Sequence, residues 1–283
     1  MSRLLRASFA RLKKDKTFWI CMAVMFGIGA LFVISNYVTM KFRGYGATVD
    51  DALFSYGTYI GMFLAAFSSL YIGKEYSDGT IRNKLICGAS RTSVYLSNFI
   101  MMASCGIFCV LTGYAVALGL GLPLFGSFEM PVSAVLALSL ISILFTLAYV
   151  SIFHMVSMTC SSKTTSAVCC ILLAFALLFI ASMLLSSLAQ PEYIEQLSAS
   201  SMKAGQIVTT EDAVLETVKN PAYLSGVKRE IYQNIMDFLP SGQMVQLLNG
   251  GDIHIFRAAF YSIFIIVGTN MIGLRIFKKK DIK

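Results

Sequence analysis

Residues Lys74 to Arg91 read KEYSDGTIRNKLICGASR. The apolar run 54–73 precedes this stretch and the apolar run 98–122 follows it. A helix needs about 20 apolar residues to cross a bilayer core, and each run is that long. The polar stretch therefore lies at one membrane face. Asp78-Gly79 marks a turn. Thr80 or Asp78 is placed to cap a short helix through Ile81, Arg82, Asn83, Lys84, Leu85 and Ile86. Gly88 ends that helix from the C′ position, and Ser90 caps the next one. Ile81, Leu85 and Ile86 form an apolar side, with Arg82 and Lys84 polar. A helix this short needs packing to hold it, and its form suits docking to a soluble partner.

The composition agrees with a membrane setting. Of 283 residues, 57% are hydrophobic and 13% charged, against about 25% charged in soluble domains. Six runs are long enough to span: 18–39, 54–73, 98–122, 134–158, 167–189 and 255–275. Helices are the default there, because lipid offers no partner to an open backbone group. The expected fold is all-α and polytopic, a single transmembrane domain over residues 1–283. The run 18–39 is too long for a signal-peptide core and is read as the first span.

The net charge of +8 raises the question of nucleic acid. Its distribution answers it. Arg3, Arg6, Arg11, Lys13, Lys14 and Lys16 precede the first span. Lys74, Arg82, Lys84 and Arg91 follow the second, Lys163 the fourth, and Lys278, Lys279, Lys280 and Lys283 the last. These segments alternate to one side, which the positive-inside rule makes cytoplasmic. Both termini are then expected in the cytoplasm of a cell-membrane protein, with no nucleic-acid partner. Lys41 and Arg43 fall on the other side. Seven cysteines, no CxxC and two distant histidines give no disulfide framework and no metal site.

Two further polar segments stand out. In Ser2–Lys16, Leu4, Leu5, Phe9 and Leu12 recur at helical spacing between basic residues. That describes an amphipathic helix on the inner leaflet or a plain topology anchor. Segment 190–254 is acidic on balance and expected outside. It reads as helical. TTEDAVLETVKNP starts with caps and stops at Asn220-Pro221, a second helix breaks at Pro240, and a short last one, capped by Ser241, is placed along the outer membrane surface.

Glu75, Gly79-Thr80-Ile81-Arg82, Asn83-Lys84, Leu85, Gly88 and Ser90-Arg91, directly after a second span, resemble the ABC-2 type permeases, membrane subunits of bacterial ATP-binding-cassette exporters. LPSGQ at Leu239–Gln243 and the end KKKDIK are similar to the branch for peptide-antibiotic or lantibiotic self-protection and multicopper-enzyme maturation. The resemblance implies a six-span permease that pairs with a second permease, a copy or a paralogue, and with two cytoplasmic ATPases that hold ATP and Mg. It implies that the loop helix is a coupling helix seated in the ATPase. Glu75, Asp78, Gly79, Thr80, Ile81, Arg82, Lys84, Leu85 and Arg91 are then the coupling residues. Arg82, Lys84 and Arg91 would pair with ATPase acids or anchor at the inner leaflet. Glu75 would tie the second span to Arg6, Arg11 or Arg91.

The residues limit the chemistry on their own. No GxxxxGK[ST] occurs, so no phosphate loop of that kind is present, and YIGKEY is its nearest string. The spans contain no HExxH and almost no acids, which opposes an intramembrane enzyme. They look continuous and nearly uncharged, which opposes an ion-driven transporter. A non-transporting scaffold or sensor with 190–254 as its binding segment is the alternative to an exporter of an amphipathic or peptide cargo. Gly57, Gly61 and Ala65 recur every fourth residue and suit close helix packing, within the subunit or at a dimer seam. His154 is read as structural, satisfied by serine and threonine neighbours.

Overall fold

The computed structural model describes residues 2–44, 46, 48–197, 215–250 and 253–281. Helix α1 (Ser2–Lys14) turns at Asp15 into α2 (Lys16–Arg43). The Asp15 carboxylate accepts from the Thr17 N–H at 2.8 Å, which caps α2 at the elbow. Next come α3 (Val49–Phe54), α4 (Gly57–Ser77), α5 (Thr80–Ile86) and α6 (Arg91–Val116). A π-helical turn, Ala117–Gly121, leads to α7 (Leu122–Phe125), then α8 (Val132–Thr159) and α9 (Lys163–Leu188). Strands β1 (Tyr193–Leu197) and β2 (Leu215–Lys219) pair antiparallel, with Tyr193 opposite Lys219. Helices α10 (Val227–Phe238), α11 (Pro240–Leu248) and α12 (Ile255–Lys279) follow.

Six stretches are long and apolar enough to cross a membrane: Lys16–Arg43, Val49–Ser77, Arg91–Phe125, Val132–Thr159, Lys163–Leu188 and Ile255–Lys279. Their most apolar windows are 61% buried in the second and 50% in the fourth but 17% in the sixth. Helices α4 and α8 therefore form the centre. Large apolar side chains such as Trp19, Leu31, Phe179 and Phe256 face outward, as lipid allows. Polar groups point inward and bond between helices: Ser68 shares a hydrogen bond with Ser157 at 3.0 Å, and Thr269 donates to Ser151 at 3.0 Å.

Two spans are interrupted where continuity was expected. The second is α3 and α4, joined through Ser55-Tyr56. Thr48 and Asp51 form a reciprocal capping box that starts α3. The third passes through the π turn just before Pro123. Proline has no N–H for the carbonyl four residues earlier, so the helix widens there. Buried Asp50 accepts from the Glu129 N–H at 2.8 Å and fastens the loop between α7 and α8.

The segment after α9 also departs from expectation. Residues 209–214 of the expected first helix lie outside the described residues, and 215–219 form a strand. Thr217 and Val218 are β-branched and pair with Glu195 and Ile194. Helix α11 does not lie on a surface. Pro240, Ser241, Gly242, Gln243, Met244, Gln246 and Leu247 are buried in it. Its N-cap is Leu239 with Pro240 at N1, and no side chain caps it.

Candidate functional site

One end of the bundle collects α1, α5, the turn between α8 and α9, and the end of α12. It is the basic end, and Glu75 is its hub. Glu75 lies on the last turn of α4 and is fully buried. Arg11 of α1 and Lys84 of α5 both donate to its Oε1, at 2.9 and 2.7 Å. Asn98 of α6 donates to its Oε2 at 2.7 Å, and Lys84 also donates to Asn98 Oδ1 at 3.3 Å. One carboxylate thus joins four helices. The Arg11 guanidinium also lies over the Tyr71 ring, 4.9 Å from its centre. A buried charge survives only when paired and hydrogen-bonded, and here each Glu75 oxygen is used.

Helix α5 is shaped by two glycines with positive φ. Gly79 (φ 66) is its N-cap, so neither Thr80 nor Asp78 caps it. Gly88 (φ 86) ends it. The Gly88 N–H reaches Leu85 O at 3.0 Å and the Ala89 N–H reaches Lys84 O at 3.1 Å, the paired bonds of a Schellman motif. Ser90 Oγ then accepts from the Ser93 N–H at 3.1 Å and caps α6. Inside this frame α5 has two sides. Ile81 is 1% exposed, Leu85 is partly buried, and Lys84 turns in to Glu75. Arg82 and Asn83 are exposed, and Ile86 is 71% exposed. Two expectations change accordingly. Lys84 is committed to Glu75 and is not available to a partner's acids, and Ile86 belongs to the outer side. Of the candidate partners for Glu75, the structure selects Arg11.

Arg91 is committed as well. Its Nη1 donates to Phe277 O at 3.0 Å and to Lys280 O, which satisfies carbonyls at the end of α12. Lys280 in turn donates to Met158 O at 3.1 Å and Cys160 O at 2.8 Å, at the end of α8. Its ammonium lies 4.0 Å from the Tyr76 ring centre. Burial pushes the Lys280 pKa down to about 8, with Cys160 acting weakly the other way. Tyr76 donates to Met158 O at 2.6 Å. The ends of α4, α6, α8 and α12 are thereby linked beside α5, with Asp78, Gly79 and Thr80 forming the turn into it.

A family model described as ABC-2 family transporter protein matches residues 4–181. This chain belongs to the ABC-2 transporter family. It is a multi-pass membrane protein of the ABC transporter permease kind. No curated protein matches the chain. The matched span of this ABC-2 transporter protein runs from Leu4 in α1 past the end of α8, and so contains the whole Glu75 cluster with α5.

The remaining candidates fall elsewhere. Gly57, Gly61 and Ala65 face inward. A Cβ on Gly57 would stand 3.1 Å from Met244 Sδ, one on Gly61 would stand 3.0 Å from the Tyr149 ring, and Ala65 is fully buried. The chain's own α11 and α8 cover the two glycines. His154 is buried at 4.5 Å from the Tyr95 ring and 5.6 Å from the Phe99 ring, and neither of its nitrogens has a hydrogen-bond partner among the described residues. The expected serine and threonine partners are used otherwise: Ser151 with Thr269, Ser157 with Ser68.

Asn98 was not singled out from the sequence. Its signal was available, since a lone amide in an apolar run needs a partner. The LPSGQ string has a structural role. Gln243 donates to Asp237 O at 2.7 Å and accepts from Ser262 at 2.9 Å, so it clamps α11 between α10 and α12.

Proposed function

We propose that this protein is the membrane-spanning permease subunit of an ABC exporter and that α5 couples it to a separate cytoplasmic ATPase. The observation that carries the proposal is the two-sided form of α5. Its inner side is fixed by Ile81 and the Lys84–Glu75–Asn98 bonds. Its outer side offers Arg82 and the apolar Ile86 at a polar end of the molecule, where a soluble partner would cover them. In this reading ATP and Mg are held by the ATPase, the basic end and both termini are cytoplasmic, and 190–254 is outside.

The mechanism follows from the connections. A push on α5 moves Lys84, Glu75 carries it to α4, and Asn98 and Arg11 carry it to α6 and α1. Arg91 and Lys280 extend the same displacement to α12 and α8. Rigid bodies joined by buried charge pairs move together rather than deform. The likeness of LPSGQ and KKKDIK to the peptide-antibiotic branch supports an amphipathic or peptide cargo, handled with a second permease.

The test is affinity purification from the native membrane with identification of what accompanies the chain. A stoichiometric phosphate-loop ATPase, lost from the Arg82→Glu, Ile86→Glu variant while the variant stays folded, is the expected result. Intact chain without any ATPase would replace this reading with a scaffold or sensor.

A further inference from the structure

At the end opposite α5, the end of α9, α10, α11 and the start of α12 enclose a cleft of about 440 Å³. Leu185, Leu188 and Met236 give it an apolar lining, and Arg229, Gln233, His254 and Arg257 a polar one. Arg229, Gln233 and Arg257 also border an adjoining hollow of about 610 Å³ next to Glu230. The cleft is built from residues 185–257, beyond the family match at 4–181.

Among the described residues its charge is not balanced from within. Asp237 pairs with Arg257. The Oδ1 of Asp237 is already taken by Gln233 at 2.9 Å and Gln246 at 3.0 Å. Glu230 is exposed. Arg229 lies over the Tyr223 ring, 5.4 Å from its centre, and its buried Nη1 has no hydrogen-bond partner among the described residues. The same holds for Nε of Arg257. Two guanidiniums therefore face the cleft with donors to spare, and such forks fit phosphate oxygens. The depth also fits. Arg257 is the third residue of the apolar helix α12, and its neighbours Phe256 and Phe260 are 93% and 66% exposed on the lipid side. That is the level of phospholipid headgroups, whose phosphates a basic cleft at the helix ends can reach.

We propose that this cleft binds the phosphate group of an anionic amphipathic molecule. Arg229 and Arg257 hold the phosphate, and Leu185, Leu188 and Met236 pack against the adjoining apolar part. The site does not depend on the ATPase reading and stands or falls separately. A phospholipid headgroup and free phosphate share this chemistry, and the experiment separates them.

The full chain, purified in mild detergent, is titrated with dihexanoyl phosphatidylglycerol, dihexanoyl phosphatidylcholine or inorganic phosphate. Hydrogen exchange over α10 and α11 is read together with thermal unfolding. Phosphatidylglycerol is expected to protect α10, the choline lipid to bind more weakly, and Arg229→Gln to weaken binding about tenfold or more. Arg229 makes no ion pair with a described residue, so this variant keeps the fold, and its unfolding temperature without ligand checks that. Protection by the glycerol lipid but not by phosphate makes a lipid headgroup the occupant, whereas protection by phosphate makes the free anion sufficient. No protection by either, or unchanged affinity in Arg229→Gln, overturns the proposal.

Discussion

Glu75→Gln keeps the side-chain shape and one acceptor for Asn98 but removes the charge that Arg11 and Lys84 share. Both cations donate to Oε1, at 2.9 and 2.7 Å, so they lie within about 6 Å of each other. Two positive charges at that distance repel by roughly 3 kcal/mol at an effective dielectric of about 20. Removing one partner of a buried pair costs about 3–5 kcal/mol. The Arg11 side chain is 25% exposed and can turn outward, whereas that of Lys84 is 12% exposed and cannot do so freely. The lower figure, about 3 kcal/mol, is therefore expected. Amide exchange in α5 should rise about a hundredfold, and the unfolding temperature in detergent should fall by roughly 5–10 °C. Adding Lys84→Met should restore more than half of the loss, because an apolar group replaces a stranded charge. Wild-type exchange in Glu75→Gln, or no recovery in the double variant, would refute the argument that this carboxylate holds α5.

Gly242→Ala places a Cβ against the Met236 carbonyl oxygen, which belongs to backbone and cannot yield. The folded yield by size-exclusion chromatography should drop severely, and a wild-type yield would show that α11 and α10 are less tightly joined. Cysteines at Gly57 or Gly61 should give no dimer crosslink, because Met244 and Tyr149 cover these positions. Lys280 sits near 8 in the folded protein and at 10.5 ordinarily. The folded state therefore sheds its proton first, and stability relative to Lys280→Met should stay flat below about pH 8 and rise between 8 and 10.5. Comparing unfolding temperatures of the two proteins at pH 7 and pH 10 checks the sign.

The six spans and the basic end were legible because length, hydropathy and charge act locally. Gly88 and Ser90 gave the end of α5 and the start of α6 for the same reason. What escaped was pairing across the sequence. Lys84 looked like a cation for a soluble partner until the fold of α5 back onto α4 and α6 gave it Glu75 and Asn98, and Arg91 meets carbonyls at the distant end of α12 instead of Glu75. Ile86 and Ile81 share a composition but not a side, and only packing against the bundle separates them. The strand at 215–219 was read as helix because TTEDAVLETVKNP starts with caps and stops at Asn220-Pro221, while its strand partner at 193–197 lay far back in the chain. Helix α11 looked like a surface helix, yet Gly242 lets it close against α10 and bury it.

The central claim is that a soluble ATPase covers the outer side of α5. A photo-crosslinking amino acid placed at Ile86, in cells that make the chain at native level, tests it directly. The control position is Phe256, which is even more exposed but at the far end of the bundle. The account predicts an adduct with a phosphate-loop ATPase from Ile86 and none from Phe256. No ATPase adduct from Ile86, or an equal one from Phe256, would contradict it.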